Sequence, residues 1–95
     1  MNNSFLGLNT LENREWLRDQ ADTLGYEDIY AWEATDYYGE PGIDIGLVGK
    51  GSAASDTYIA VAISKKLDIE VTPYSVVDEE HLKSIFGDVP LLKAA

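Results

Sequence analysis

Two groups of residues in this chain have types and spacings that could do chemistry. Glu12, Glu15, Asp19 and Asp22 recur at intervals of three, four and three, which stacks four carboxylates along one stripe of a helix. Arg14 and Arg18 partly offset them. The segment from Tyr26 to Glu40 holds five of the ten aromatics, Tyr26, Tyr30, Trp32, Tyr37 and Tyr38, interleaved with Glu27, Asp28, Glu33, Asp36 and Glu40. Tyrosine and tryptophan anchor protein interfaces, and carboxylates around them attract a basic partner and speed its approach. The competing reading puts Tyr30 and Trp32 in the core of a central strand and makes the acids ordinary solubility charges.

Catalytic signatures are sparse. The chain has no cysteine and one histidine, His81, so it has no thiolate nucleophile and too few nitrogen and sulfur ligands for a zinc site. No Ser or Cys stands at a recognisable spacing from His81, which reads as a surface or half-buried helix residue. Gly46-Leu-Val-Gly49-Lys50-Gly51-Ser52 invites a phosphate-loop reading, but Asp44 stands where the first glycine belongs and Gly51 follows the lysine in place of Ser or Thr. There is no twelve-residue loop of alternating oxygen ligands for calcium. No cofactor is expected.

One longer pattern bears on the same residues. Glu40-Pro41-Gly42-Ile43-Asp44, followed by a strand, a loop and Tyr58 to Lys66, resembles the layout of the PD-(D/E)xK nuclease superfamily over about 25 residues. The resemblance implies an Asp at the start of one strand, matched by Asp44, and a Glu-x-Lys on the next, the set that holds a magnesium ion and positions water. Here Ala62-Ile63-Ser64 occupies the second place, with Lys65 one position late. A metal-dependent enzyme remnant centred on Asp44 is the alternative this layout offers, and it requires Asp44 to cluster with Glu33 or another acid.

Charge sets the class of partner. Seventeen acids against seven lysines and arginines give a net charge of −10 over 95 residues, which repels phosphate backbones and anionic membranes and favours basic partners. Residues 12–44 hold ten acids and two arginines, whereas residues 51–95 hold seven acids and four lysines; the acidity concentrates in the first half. With 45% hydrophobic residues, the chain has enough apolar material for one folded domain, 1–95, and too little length for two. No apolar run spans a bilayer, and the start MNNSFLGLNT lacks the features of a signal peptide. A soluble, cytoplasmic protein is expected.

The elements that must position these residues follow from periodicity. Residues 1–9 are expected to fray. Asn9 and Glu12 form a capping-box pattern that opens a helix over about Thr10 to Leu24, ended by Gly25. From Glu27 the period falls to two, with apolar or aromatic groups on both faces, which predicts a strand. Tyr38 to Gly42 forms a turn, and Ile43 to Val48 a second strand with one buried face. Residues 49–56 are expected to be a flexible loop.

Thr57 to Ser64 alternates Ile59, Val61 and Ile63 with Tyr58, Ala60 and Ala62, which predicts a strand; a helix capped by Ser55 is the alternative. Leu67 to Thr72 predicts another strand, with Pro73 ending it or marking an edge. Asp78 or Ser75 caps a short helix with Leu82, Ile85 and Phe86 inward. The sum is a small α+β domain. Its sheet is four-stranded and mostly antiparallel, with the N-terminal and short C-terminal helices packed on one face.

The functional expectation is a non-enzymatic inhibitor or interaction protein that binds a basic, nucleic-acid-handling protein through an acidic, aromatic surface. In class it resembles phage-borne anti-CRISPR and anti-restriction proteins, which mimic nucleic acid, and the immunity proteins of nuclease toxins. The expected contacts are Glu33, Asp36, Tyr37, Tyr38 and Glu40 at the hairpin, with Glu15, Asp19 and Asp22 as a steering stripe. Neither nucleic acid nor membrane is a direct partner. A third reading is a structural subunit whose aromatic hairpin makes a homodimer.

Overall fold

The computed structural model describes residues 9–35, 38–49 and 51–94. The fraying expected for residues 1–9 lies outside these apart from Asn9, as do Asp36, Tyr37 and Lys50. The described elements run α1 (Leu11–Thr23), β1 (Asp28–Thr35), β2 (Pro41–Val48), α2 (Ala53–Leu67), β3 (Glu70–Val76), α3 (Glu79–Phe86) and β4 (Leu92–Lys93). The class is α+β with a four-stranded sheet, as expected. The sheet order is β3-β2-β1-β4.

The expectation of a mostly antiparallel sheet is corrected. β1 pairs antiparallel with β2 and with β4, but β2 and β3 are parallel. The cause is residues 57–64, which lie in α2 and supply the crossover that a parallel pair requires. Ser52 caps this helix: its Oγ accepts from the Ser55 N–H at 3.0 Å, and the Ser55 Oγ accepts from the Ser52 N–H at 2.9 Å. That reciprocal capping box also overturns the loop expected for 49–56, since Ser52 to Asp56 are the cap and first turn of α2. Ile59 and Ile63, four residues apart, are fully buried, while Val61 between them is exposed. A strand would have buried all three on one face.

Other elements shift by smaller amounts. The cap of α1 is Thr10 rather than Asn9, its Oγ1 accepting from the Asn13 N–H at 3.1 Å. Leu67 closes α2, and Asp68 terminates it in the left-handed region at φ 57°, so β3 starts later than expected and runs through Pro73 as an edge strand. Asp78 caps α3, accepting from the His81 N–H at 2.9 Å. Ile85 points outward rather than inward. Gly39 turns the hairpin at φ 83°.

Helices cover both faces of the sheet rather than one. On the first face, Ile29 and Ala31 of β1 join Ile43, Ile45 and Leu47 of β2 in a core closed by Leu17 and Ala21 of α1 and by Ile59 and Ile63 of α2. On the second face, Trp32 meets Tyr74 of β3 and Phe86 of α3, with ring centroids 6.3 and 5.0 Å away, and Tyr74 meets Phe86 edge to face at 4.7 Å. Gly46 lets α3 approach here, since a Cβ on it would stand 2.7 Å from Cδ2 of Leu82. β2 is therefore buried on both sides, against the single buried face expected for it.

Candidate functional site

Three of the carboxylates line a cleft at the hairpin end of the second face. Register sets Asp44 of β2 between Trp32 of β1 and Thr72 of β3, and pleat parity puts Asp44, Trp32 and Tyr74 on one side of the sheet. A cleft of about 250 Å³ opens there, lined by Ala34, Glu40, Gly42, Ile43, Asp44, Glu70, Thr72 and Tyr74. Three carboxylates from the turn, β2 and β3 thus share one depression against an aromatic wall. Glu33, next to Trp32 on β1, is exposed and by the same parity lies on the opposite side of the sheet, and Tyr38 at the turn is 83% exposed.

Asp44 differs from its neighbours in being half-buried. Burial pushes its carboxyl above the usual carboxylate range, and a hydrogen bond from the Trp32 indole N–H works in the opposite direction. The Tyr74 hydroxyl is also raised, first by burial and then by the charge of Asp44. An ionised carboxylate held where water is depleted interacts more strongly with an incoming cation than one in open solvent. The aromatic faces alongside add to that attraction. The arrangement suits a lysine or arginine side chain. Among the described residues no three acid or histidine side chains come together closely enough to hold a metal ion.

The five aromatics of the 26–40 segment divide. Tyr26, Tyr30 and Trp32 belong to the core, as the competing reading held for the last two, while Tyr38 is at the surface; Tyr37, with Asp36, lies outside the described residues. Tyr26 does structural work, its hydroxyl bonded to Asp56 and, at 3.0 Å, to Ser55, which ties the start of α2 to the approach to β1. On α1, Glu12, Glu15 and Asp19 are exposed. Asp22 pairs with Arg18 at 2.9 Å, and the same guanidinium reaches Asp28 at 3.1 Å and the Glu27 carbonyl at 2.8 Å. That pairing places Asp22 at the start of β1, the end opposite the hairpin.

Glu70 and Tyr74 were not legible as site residues, because the strand expected for 57–64 left no reason to set residues 70–76 beside β2. A helical reading of 57–64 would have implied a β-α-β crossover and brought them there. The nuclease layout also changes: residues 58–66 are helical, so the strand for a Glu-x-Lys is absent, and Lys65 lies on the opposite side of the sheet from Asp44. Asp44 shares its cleft with Glu40 and Glu70 rather than with Glu33. His81 is half-buried, its Nδ1 accepting from the Val77 N–H at 3.1 Å. No family model, curated protein or solved structure matches the chain, and no helix among the described residues is long and apolar enough to cross a membrane.

Proposed function

We propose that this protein is a non-enzymatic binding module, of inhibitor type, acting in the cytoplasm by capturing a basic, nucleic-acid-handling protein at the hairpin end of its sheet. The observation that carries the reading is the cleft whose lining includes Glu40, Asp44 and Glu70 together with Tyr74. A cationic side chain of the partner enters it, Tyr38 contacts the surface around it, and Glu33 with the exposed acids of α1 steer the approach. Electrostatic steering raises association rates and falls with ionic strength. The anti-CRISPR, anti-restriction and nuclease-immunity proteins belong to this functional class.

The test is affinity capture from lysate with wild type and a Glu33→Lys/Glu40→Lys/Glu70→Lys variant. All three positions are exposed, so the fold tolerates the change. Wild type is expected to recover a basic nucleic-acid-binding protein that the variant does not. With the purified partner, affinity is expected to fall at least tenfold between about 0.05 and 0.5 M salt, as the screening length shrinks from roughly 14 to 4 Å. Equal binding by the variant, or salt-independent affinity, refutes the proposal.

A further inference from the structure

The outer face of α2 is the least acidic surface that the helices offer. Between Ala53 and Leu67 the only acid is Asp56, and its carboxylate is turned inward to accept from Tyr26 and, at 2.7 Å, from Ser75. The outer positions instead carry Ala54, Tyr58, Val61 and Lys65, with Tyr58 64% and Val61 47% exposed. Val61 forms a ridge between two furrows. One of about 450 Å³ is lined by Ala54, Thr57, Tyr58, Ala62 and Lys65 and holds no acid, and one of about 260 Å³ runs toward Glu70, Val71 and Pro73 of the edge strand. Ridges flanked by furrows are what helices use to pack on one another. The outer faces of α1 and α3, by contrast, carry Glu12, Glu15 and Asp19, and Glu80.

We infer that this face binds a second copy of the chain, α2 against α2 in antiparallel sense about Val61. Two molecules of net charge −10 associate most readily where carboxylates do not meet, and the side of α2 that carries Ala54, Tyr58, Val61 and Lys65 supplies that surface. The pairing is also complementary in charge. With Val61 on the two-fold axis, residue numbers facing each other sum to about 122, which sets exposed Asp68 of one copy beside Ala54 at the N-terminus of the partner's helix. A carboxylate is favoured at that end of the helix dipole. The same register brings Lys65 alongside Tyr58 of the partner copy, where an ammonium over a ring is attracted. A single helix face offers less than the roughly 800 Å² per partner of a standard interface, so the dimer is expected to be weak.

Sedimentation equilibrium from about 1 to 300 µM, a range that spans micromolar affinity, reads this directly. The mass is expected to rise from 10.5 kDa toward twice that value, and the midpoint concentration to fall severalfold as salt is raised, because screening relieves the repulsion between two acidic molecules. That salt response is opposite in sign to the one expected of the partner-binding cleft, so the two readings fail independently. Val61→Glu is expected to stay monomeric with an unchanged circular dichroism spectrum. As a second arm, the chain has no cysteine, so Val61→Cys is expected to form a disulfide dimer on mild oxidation, while Ile85→Cys on the exposed side of α3 does not. A wild-type mass of 10.5 kDa throughout, or dimerisation of Val61→Glu equal to wild type, overturns the inference.

Discussion

Gly46 and Leu82 form a matched pair whose coupling can be worked out in advance. A Cβ introduced by Gly46→Ala would stand 2.7 and 2.9 Å from the two Cδ atoms of Leu82 and 3.2 Å from its Cγ. The backbone there is extended strand, so the cost is steric alone, about 1–3 kcal/mol for one overpacked methyl group. Leu82 is fully buried, and Leu82→Ala is expected to cost about 2–5 kcal/mol. That substitution also removes all three atoms that the new methyl group meets. In its background Gly46→Ala is expected to cost nothing and to fill part of the void, so the double variant is no less stable than Leu82→Ala.

The coupling is then about 1–3 kcal/mol. Urea and thermal unfolding read it, with each kcal/mol worth about 4–8 °C in Tm for a domain of this size. In a Trp16→Phe background, which leaves one tryptophan, Trp32 fluorescence reports the same event locally, because Trp32 lies against Phe86. Additivity of the two single variants within about 0.5 kcal/mol would refute the packing of α3 on the second face, and with it the aromatic wall of the cleft.

Two further outcomes follow from the site and from α2. Burial raises the Asp44 carboxyl above its ordinary 3.8. Its contribution to stability is therefore most favourable below that ordinary value and is lost as pH rises through the raised folded value. Asp44→Asn keeps an acceptor for Trp32 and removes the buried charge, so it is expected to melt higher than wild type at pH 7, with the advantage vanishing at about pH 3, below the ordinary carboxyl range, while partner capture weakens. A lower Tm at pH 7 contradicts this. Ser52→Ala removes the cap of α2 and is expected to cost about 1 kcal/mol, read by chemical denaturation; an unchanged midpoint would show that the capping box contributes nothing.

What the sequence revealed of the fold depended on whether a local pattern had one physical meaning. The first helix was legible because Leu17, Ala21 and the acids opposite them fit only a 3.6-residue period. The hairpin was legible because Gly39, Pro41 and Gly42 punctuate two runs of period two. Residues 57–64 carried two patterns at once. Ile59, Val61 and Ile63 alternate as in a strand, yet Ile59 and Ile63 are also one helical turn apart, and Ser52 with Ser55 offered a cap just upstream. Tertiary packing chose between them. Apolar groups on both faces of β1 already indicated a sheet covered on two sides, which conflicts with placing every helix on one face.

The same ambiguity governed the candidate site. Exposed acids such as Glu33 and Glu40 are readable from composition, since carboxylates stay at the surface unless something compensates their burial. The half-burial of Asp44 is not readable, because it depends on Trp32 from one neighbouring strand and Tyr74 from the other. Those neighbours exist only if β3 returns parallel to β2, which requires 57–64 to be a helix. In the proposed mode of binding, charge density marks where a basic partner is drawn, whereas topology decides which carboxylate it meets with its water removed. The two properties belong to different residues here, with steering on Glu12, Glu15, Asp19 and Glu33 and desolvation on Asp44. Neutralising the first group is therefore expected to slow association, and neutralising Asp44 to hasten dissociation.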